Sequence, residues 1–172
     1  MAMGNQIRCR RTMLAALLCI FLSLPVISGT QDQLRHFVSG SYSDIVLRYQ
    51  NSSFILVFWS IDCPPCYEEL TMLGGLYKQY PVLPVVLVST DGLDVRTEVE
   101  VLISEKGLTG LESWIFTDSL SERLRFEVDK YWYGELPRSY FFSKNQPRHA
   151  VSGRLSHAYL MKWLNENNML HR

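Results

Sequence analysis

The stretch Phe54-Ile55-Leu56-Val57-Phe58-Trp59-Ser60-Ile61-Asp62-Cys63-Pro64-Pro65-Cys66-Tyr67-Glu68-Glu69-Leu70 decides the fold. Its first six residues are uncharged and rich in β-branched and aromatic side chains, so they predict a short buried strand. Beyond the cysteines, Cys66, Leu70, Leu73, Tyr77 and Tyr80 recur at spacings of four and three, one face of a helix that Pro81 ends. Pro64 and Pro65 suit its first turn, where a missing N–H costs nothing. Cys66 should then be buried against the sheet while Cys63, one turn earlier, sits at the exposed end. The free N–H groups and dipole of a helix start stabilise a thiolate on Cys63, and the thiolate is the nucleophile of disulfide exchange. Gly74-Gly75 reads as a local weakness in that helix, costing about 1 kcal/mol per glycine against alanine, and as a place for a bend.

Upstream, residues 1–29 read as a targeting segment and 30–172 as one domain. Arg8, Arg10 and Arg11 precede an apolar run from Met13 to Leu24, and Pro25 and small residues follow. That is the layout of a secretory signal. An uncleaved membrane anchor stays open beside it. The 16 residues from Met13 to Ser28 fall short of the roughly 20 that a spanning helix needs. Without the segment, 17 basic residues less 3 leaves 14 against 17 acidic, or −3. A mildly acidic domain lacking basic runs argues against nucleic-acid binding.

Cysteine usage sharpens the reading. Cys9 and Cys19 lie in the targeting segment, so the exported chain keeps Cys63 and Cys66 alone. A secreted protein held together by disulfides would carry more cysteines, spaced further apart. A close pair closes a tiny loop and contributes little chain-entropy stabilisation. A working dithiol is the preferred reading, and an idle disulfide is the bland one.

The remaining chain supplies a scaffold. Residues 31–52 form a polar lead-in with helical hints, where Ser43 or Asp44 would cap a turn and Asn51-Ser52-Ser53 reads as a turn. Pro84–Ser89 is a strand without alternation, buried on both faces as in a parallel sheet. A helix opens near Asp94 with Val95, Val99, Leu102 and Ile103 inward, and Lys106-Gly107 stops it. Ser113–Phe116 is a strand, after which Asp118 or Ser119 caps a helix through Leu120 and Leu124. The stretch 126–133 stays ambiguous between helix end and extended chain. Gly134–Pro137 turns into the strand Arg138–Phe142; 143–146 make a hairpin turn and Arg148–Ser152 returns. Ser156 caps a last helix with Leu160, Trp163 and Leu164 inside. From residue 54 the order is β-α-β-α-β-α-β-β-α.

Cys-x-x-Cys after a core strand and Leu136-Pro137 before a later one resemble the thioredoxin superfamily, most closely its exported TlpA/ResA-like thiol-disulfide oxidoreductases. Phe58-Trp59, Cys63, Cys66 and Glu69 match that branch over roughly residues 40–166. The resemblance implies an α/β, thioredoxin-like fold with a central mixed β-sheet flanked by helices and an extra strand-helix insertion. It implies catalysis by Cys63 and Cys66, with their reversible disulfide as the only redox centre and no separate cofactor. It implies a cis bond at Pro137, with Leu136 and Pro137 holding an extended substrate strand. Trp132 and Tyr133, beside the Leu-Pro turn, are candidates for an apolar substrate rim, or for ordinary packing. Partners would be exported protein thiols or disulfides and a membrane or periplasmic redox protein, with an N-terminal tether as an option.

Three departures bear on the site. Asp62 stands where an aromatic precedes the first cysteine, and a carboxylate there disfavours a thiolate unless it points to solvent. Val57 stands where thioredoxin keeps a buried acid, which leaves Glu69 or Glu135 as candidate proton relays; Glu69 reads equally as a solvated helix residue. Thr71 replaces a proline. Arg138 would favour an acidic substrate or pair with Glu135. The competing classes are a redox-inactive binding module and a metal chaperone. Zinc lacks a second cysteine pair, since His36, His149, His157 and His171 have no ligand spacing. Copper-handling relatives use a Cys-x-x-x-Cys that is absent here.

Overall fold

The computed structural model describes residues 34–117, 121–144 and 146–170. The targeting segment, the cap at Asp118 or Ser119, and Leu120 lie outside them.

Strand β2 (Phe54–Trp59) is buried along its whole length, as its uncharged sequence predicts. Alternation sends Ile55, Val57 and Trp59 into one core and Phe54, Leu56 and Phe58 into another. Helix α2 (Pro64–Gln79) leads from it to β3 (Val85–Ser89), which pairs parallel with β2, Trp59 opposite Ser89. A single 3-10 turn (Leu93–Val95) precedes α3 (Arg96–Glu105). Then come β4 (Glu112–Phe116), α4 (Ser121–Val128), β5 (Arg138–Phe142), β6 (His149–Ser152) and α5 (His157–Glu166). Ser156 caps α5 by accepting the Tyr159 N–H at 3.1 Å.

The lead-in holds more than helical hints. Leu34–Phe37 is a strand, β1, paired parallel with β4, and Ser41–Arg48 is a helix, α1. This helix starts at Ser41 rather than at a cap on Ser43 or Asp44; Ser41 Oγ accepts the Val38 N–H at 3.0 Å. The ambiguous stretch resolves too: α4 runs to Val128, and Asp129 accepts the Trp132 N–H on its carbonyl in a turn.

The strands lie in the order β1-β4-β3-β2-β5-β6, parallel up to β2 and antiparallel beyond. β4 is the inserted strand, lying between β1 and β3. Residues from α2, α3 and α5 join one core; those from α1 and α4 join the other. The result is an α/β, three-layer, thioredoxin-like fold in which β2 is central and delivers its C-terminal end to the cysteines.

Gly74 has a packing reason that the sequence reading lacked. The helix is continuous through it, and a Cβ there would lie 2.0 Å from the Lys106 carbonyl oxygen. The glycine lets the end of α3 approach α2. Gly75 faces open space.

Candidate active site

Cys63 is the N-cap of α2, with Pro64 and Pro65 in the first turn. The Cys66 N–H bonds the Cys63 carbonyl at 2.9 Å. The two sulfurs are joined, S–S 2.06 Å with Cα atoms 5.3 Å apart. Cys66 is fully buried, whereas Cys63 keeps 8% of its surface. Cys63 is thus buried rather than at an exposed end, though of the two it alone keeps any surface.

The turn before β5 lies at the same end of the sheet. Register places Arg138 opposite Phe58, and the residue before it is Pro137, bonded in cis to Leu136. Pro137 is buried, and its carbonyl accepts the Gly153 N–H at 2.8 Å. Leu136 is half-buried and packs against the core that contains both cysteines.

Glu69 is not a solvated helix residue. It is 1% exposed, and its carboxylate accepts the Leu155 N–H at 2.8 Å and the Ser139 hydroxyl at 3.2 Å. Burial pushes its carboxyl above the ordinary range, opposed by those two hydrogen bonds and by the charge of Arg154. Ser139 is the cross-strand partner of Val57. An acid therefore reaches this part of the core from α2 instead of from β2. The spacing signal was present in the sequence: Glu69 follows Cys66 by three residues and precedes Leu73 by four, on the buried face.

Glu135 belongs elsewhere. It is exposed, and its carboxylate accepts Arg138 Nη1 at 3.1 Å and the Ser152 hydroxyl at 2.9 Å. Arg138 also pairs with Asp129 at 3.2 Å, so its guanidinium is engaged within the chain. Trp132 does not form an exposed rim: it is 4% exposed, its ring lies 4.7 Å from that of Phe58, and its indole N–H donates to the Glu135 carbonyl. Its neighbours Tyr131 and Tyr133 are the exposed aromatics. Asp62 is exposed, and its main-chain N–H donates to Ser60 Oγ at 3.1 Å.

Asp91 escaped the sequence reading. One carboxylate oxygen accepts the Ser60 hydroxyl at 2.6 Å, and the other accepts the Ile61 N–H at 3.0 Å and the Ser89 hydroxyl at 2.5 Å. The Tyr67 hydroxyl donates to the Ile61 carbonyl at 2.7 Å. A lone Asp after a strand reads as a turn residue. Its place at the carboxyl end of the strand beside β2, where α/β sheets build their sites, was the available signal. Among the described residues, no group of three His, Cys, Asp or Glu could hold a metal ion.

No protein-family model matches the chain, and no curated protein does. Solved structures do resemble it. A thiol:disulfide interchange protein of the thioredoxin family from Chlorobium tepidum has a TM-score of 0.55 at 15% identity, covering 71% of this chain and 83% of its own. A secreted Mycobacterium tuberculosis disulfide oxidoreductase gives 0.54 at 18% identity, over 70% and 85% of the two chains. A DsbF homologue from Corynebacterium diphtheriae gives 0.53 at 17%, over 70% and 75%. These likenesses show the thioredoxin-like fold.

Proposed function

We propose that the chain is an exported thiol-disulfide oxidoreductase that exchanges disulfides with other exported proteins through Cys63 and Cys66, with reduction favoured over oxidation. The observation that carries this reading is the asymmetry of the pair: Cys63 keeps surface at a helix start, whereas Cys66 has none. That is the division of labour between an attacking and a resolving thiol. The Cys63 thiolate attacks one sulfur of a substrate disulfide, forming a mixed disulfide and releasing one substrate thiolate. Cys66 loses its proton and attacks the Cys63 sulfur, which releases the second substrate thiolate. The substrate gains two electrons and the pair returns to the disulfide; a membrane or periplasmic thiol partner reduces it again.

Glu69, buried one turn beyond Cys66 and raised by burial, is the proposed group for exchanging the proton of Cys66. Leu136 and Pro137 are the proposed platform for an extended substrate segment, with Tyr131 and Tyr133 beside them in the chain in place of Trp132. Asp62, exposed next to Cys63, is proposed to tune the thiolate only weakly, because solvent screens its charge. Export is supported by the arginine-then-apolar layout of residues 1–29. The domain is released by cleavage or held by that segment, and cell fractionation distinguishes the two.

Trapping tests the assignment of roles. Cys66→Ser should accumulate a mixed disulfide with an exported substrate, and Cys63→Ser should accumulate none. Equal trapping by both variants would contradict it. The dithiol's potential tests direction: a reductant sits near −270 mV and an oxidant near −120 mV.

A further inference from the structure

The three residues between β2 and Cys63 are held from two sides. Asp91, beyond the end of β3, accepts the Ser60 hydroxyl and the Ile61 N–H, while the Tyr67 hydroxyl from α2 donates to the Ile61 carbonyl. Ser60 passes the restraint on: its Oγ accepts the Asp62 N–H at 3.1 Å and its carbonyl accepts the Cys63 N–H at 3.3 Å. Asp91 is itself fixed, since the Ser89 hydroxyl donates to its carboxylate and Ser89 Oγ accepts its N–H at 3.1 Å. Ser89 is fully buried on the strand next to β2. The central sheet is therefore tied to the nucleophile's own backbone through one carboxylate.

We infer that Asp91 is a positioning residue for Cys63: it clamps Ser60–Asp62 so that the sulfur is held at the N-terminus of α2. The inference rests on the oxidoreductase reading for its purpose, though not for its test. A carboxylate near a forming thiolate has two opposed effects. Its charge disfavours the thiolate, and its clamp keeps the thiol where the helix start favours it. The clamp prevails here because three donors already engage the carboxylate. The titratable and charged groups around the segment include Asp62 in the loop, Asp91 after β3, Tyr67, Glu68 and Glu69 on α2, Lys106 over the Tyr67 ring, Arg154 paired with Glu68, and Glu135 before Pro137.

The experiment is the pH profile of iodoacetamide alkylation at Cys63, read by mass spectrometry on the reduced full chain. Asp91→Ala should move the midpoint upward and slow alkylation at neutral pH by about two- to fivefold, the range set by a helix-terminus interaction. Ser60→Ala, which keeps the carboxylate, should move it the same way and carries the test if the first variant fails to fold. A midpoint that falls in Asp91→Ala would show charge prevailing and overturn the inference. Unmoved profiles in both folded variants would overturn it also. No substrate enters the assay, so a wild-type chain that failed to reduce disulfides would refute the functional reading and leave this test standing.

Discussion

Glu69 brings a carboxyl into an apolar interior and meets it with two donors. Burial raises its pKa above the ordinary 4.5, so the folded chain holds the proton more tightly than the unfolded one. The stability this contributes is fully present below about 4.5 and is lost as pH rises through the raised value. Glu69→Gln should therefore flatten the fall in melting temperature between acidic and neutral pH. Parallel curves for the two proteins would contradict the assignment. If Glu69 exchanges the proton of Cys66 as proposed, the same change should also slow resolution of a mixed disulfide while the fold is kept. At this scale the cysteines were legible from a short motif. Asp91 was not, because its role depends on the pairing of Trp59 with Ser89, and a lone Asp carries no trace of that.

The helices and strands explain why some elements were legible and others hidden. β2 and β3 declare themselves through unbroken apolar runs, since each faces a core on both sides. β1 does not: Leu34-Arg35-His36-Phe37 has apolar ends around two polar residues and no alternation, with burial at the ends alone. It exists through parallel pairing with β4, Leu34 with Ser113, a contact far along the chain. Glu112 secures that edge; its carboxylate accepts the Arg35 and Arg48 guanidinium groups and the Trp114 indole, and takes the Tyr49 hydroxyl at 2.9 Å. The two glycines of α2 divide by surroundings rather than by propensity. Gly75→Ala should stabilise the chain by about 0.4–1 kcal/mol, since the position is open and helical. Gly74→Ala should destabilise it, because the Lys106 main chain must move. Urea unfolding of the two variants separates them, and two changes of the same sign would contradict the close approach.

The described residues form a sheet between two cores, with the cysteine pair at the exit of the central strand. Phe58 anchors the core on the side away from α2; its ring meets those of Phe37, Phe116, Trp132 and Tyr140. Phe58→Ala should cost about 3–5 kcal/mol in denaturant unfolding; a change under 1 kcal/mol would place the core elsewhere. Trp132 shows why a side chain beside a site is not thereby part of its surface. Its indole fills this core, and only Tyr131 and Tyr133 on either side reach solvent. The fold class was legible because the apolar runs of β2 and β3, the Leu136-Pro137 turn and the Ser156 cap agreed with the resemblance carried by Cys63 and Cys66. The polar network around Cys63 was not, because it joins residues from separate strands and a helix. The most direct measurement is reduction of insulin disulfides by dithiothreitol, with and without the full chain. Wild type should accelerate it and Cys63→Ser should not; equal rates with wild type and with no protein would contradict the account.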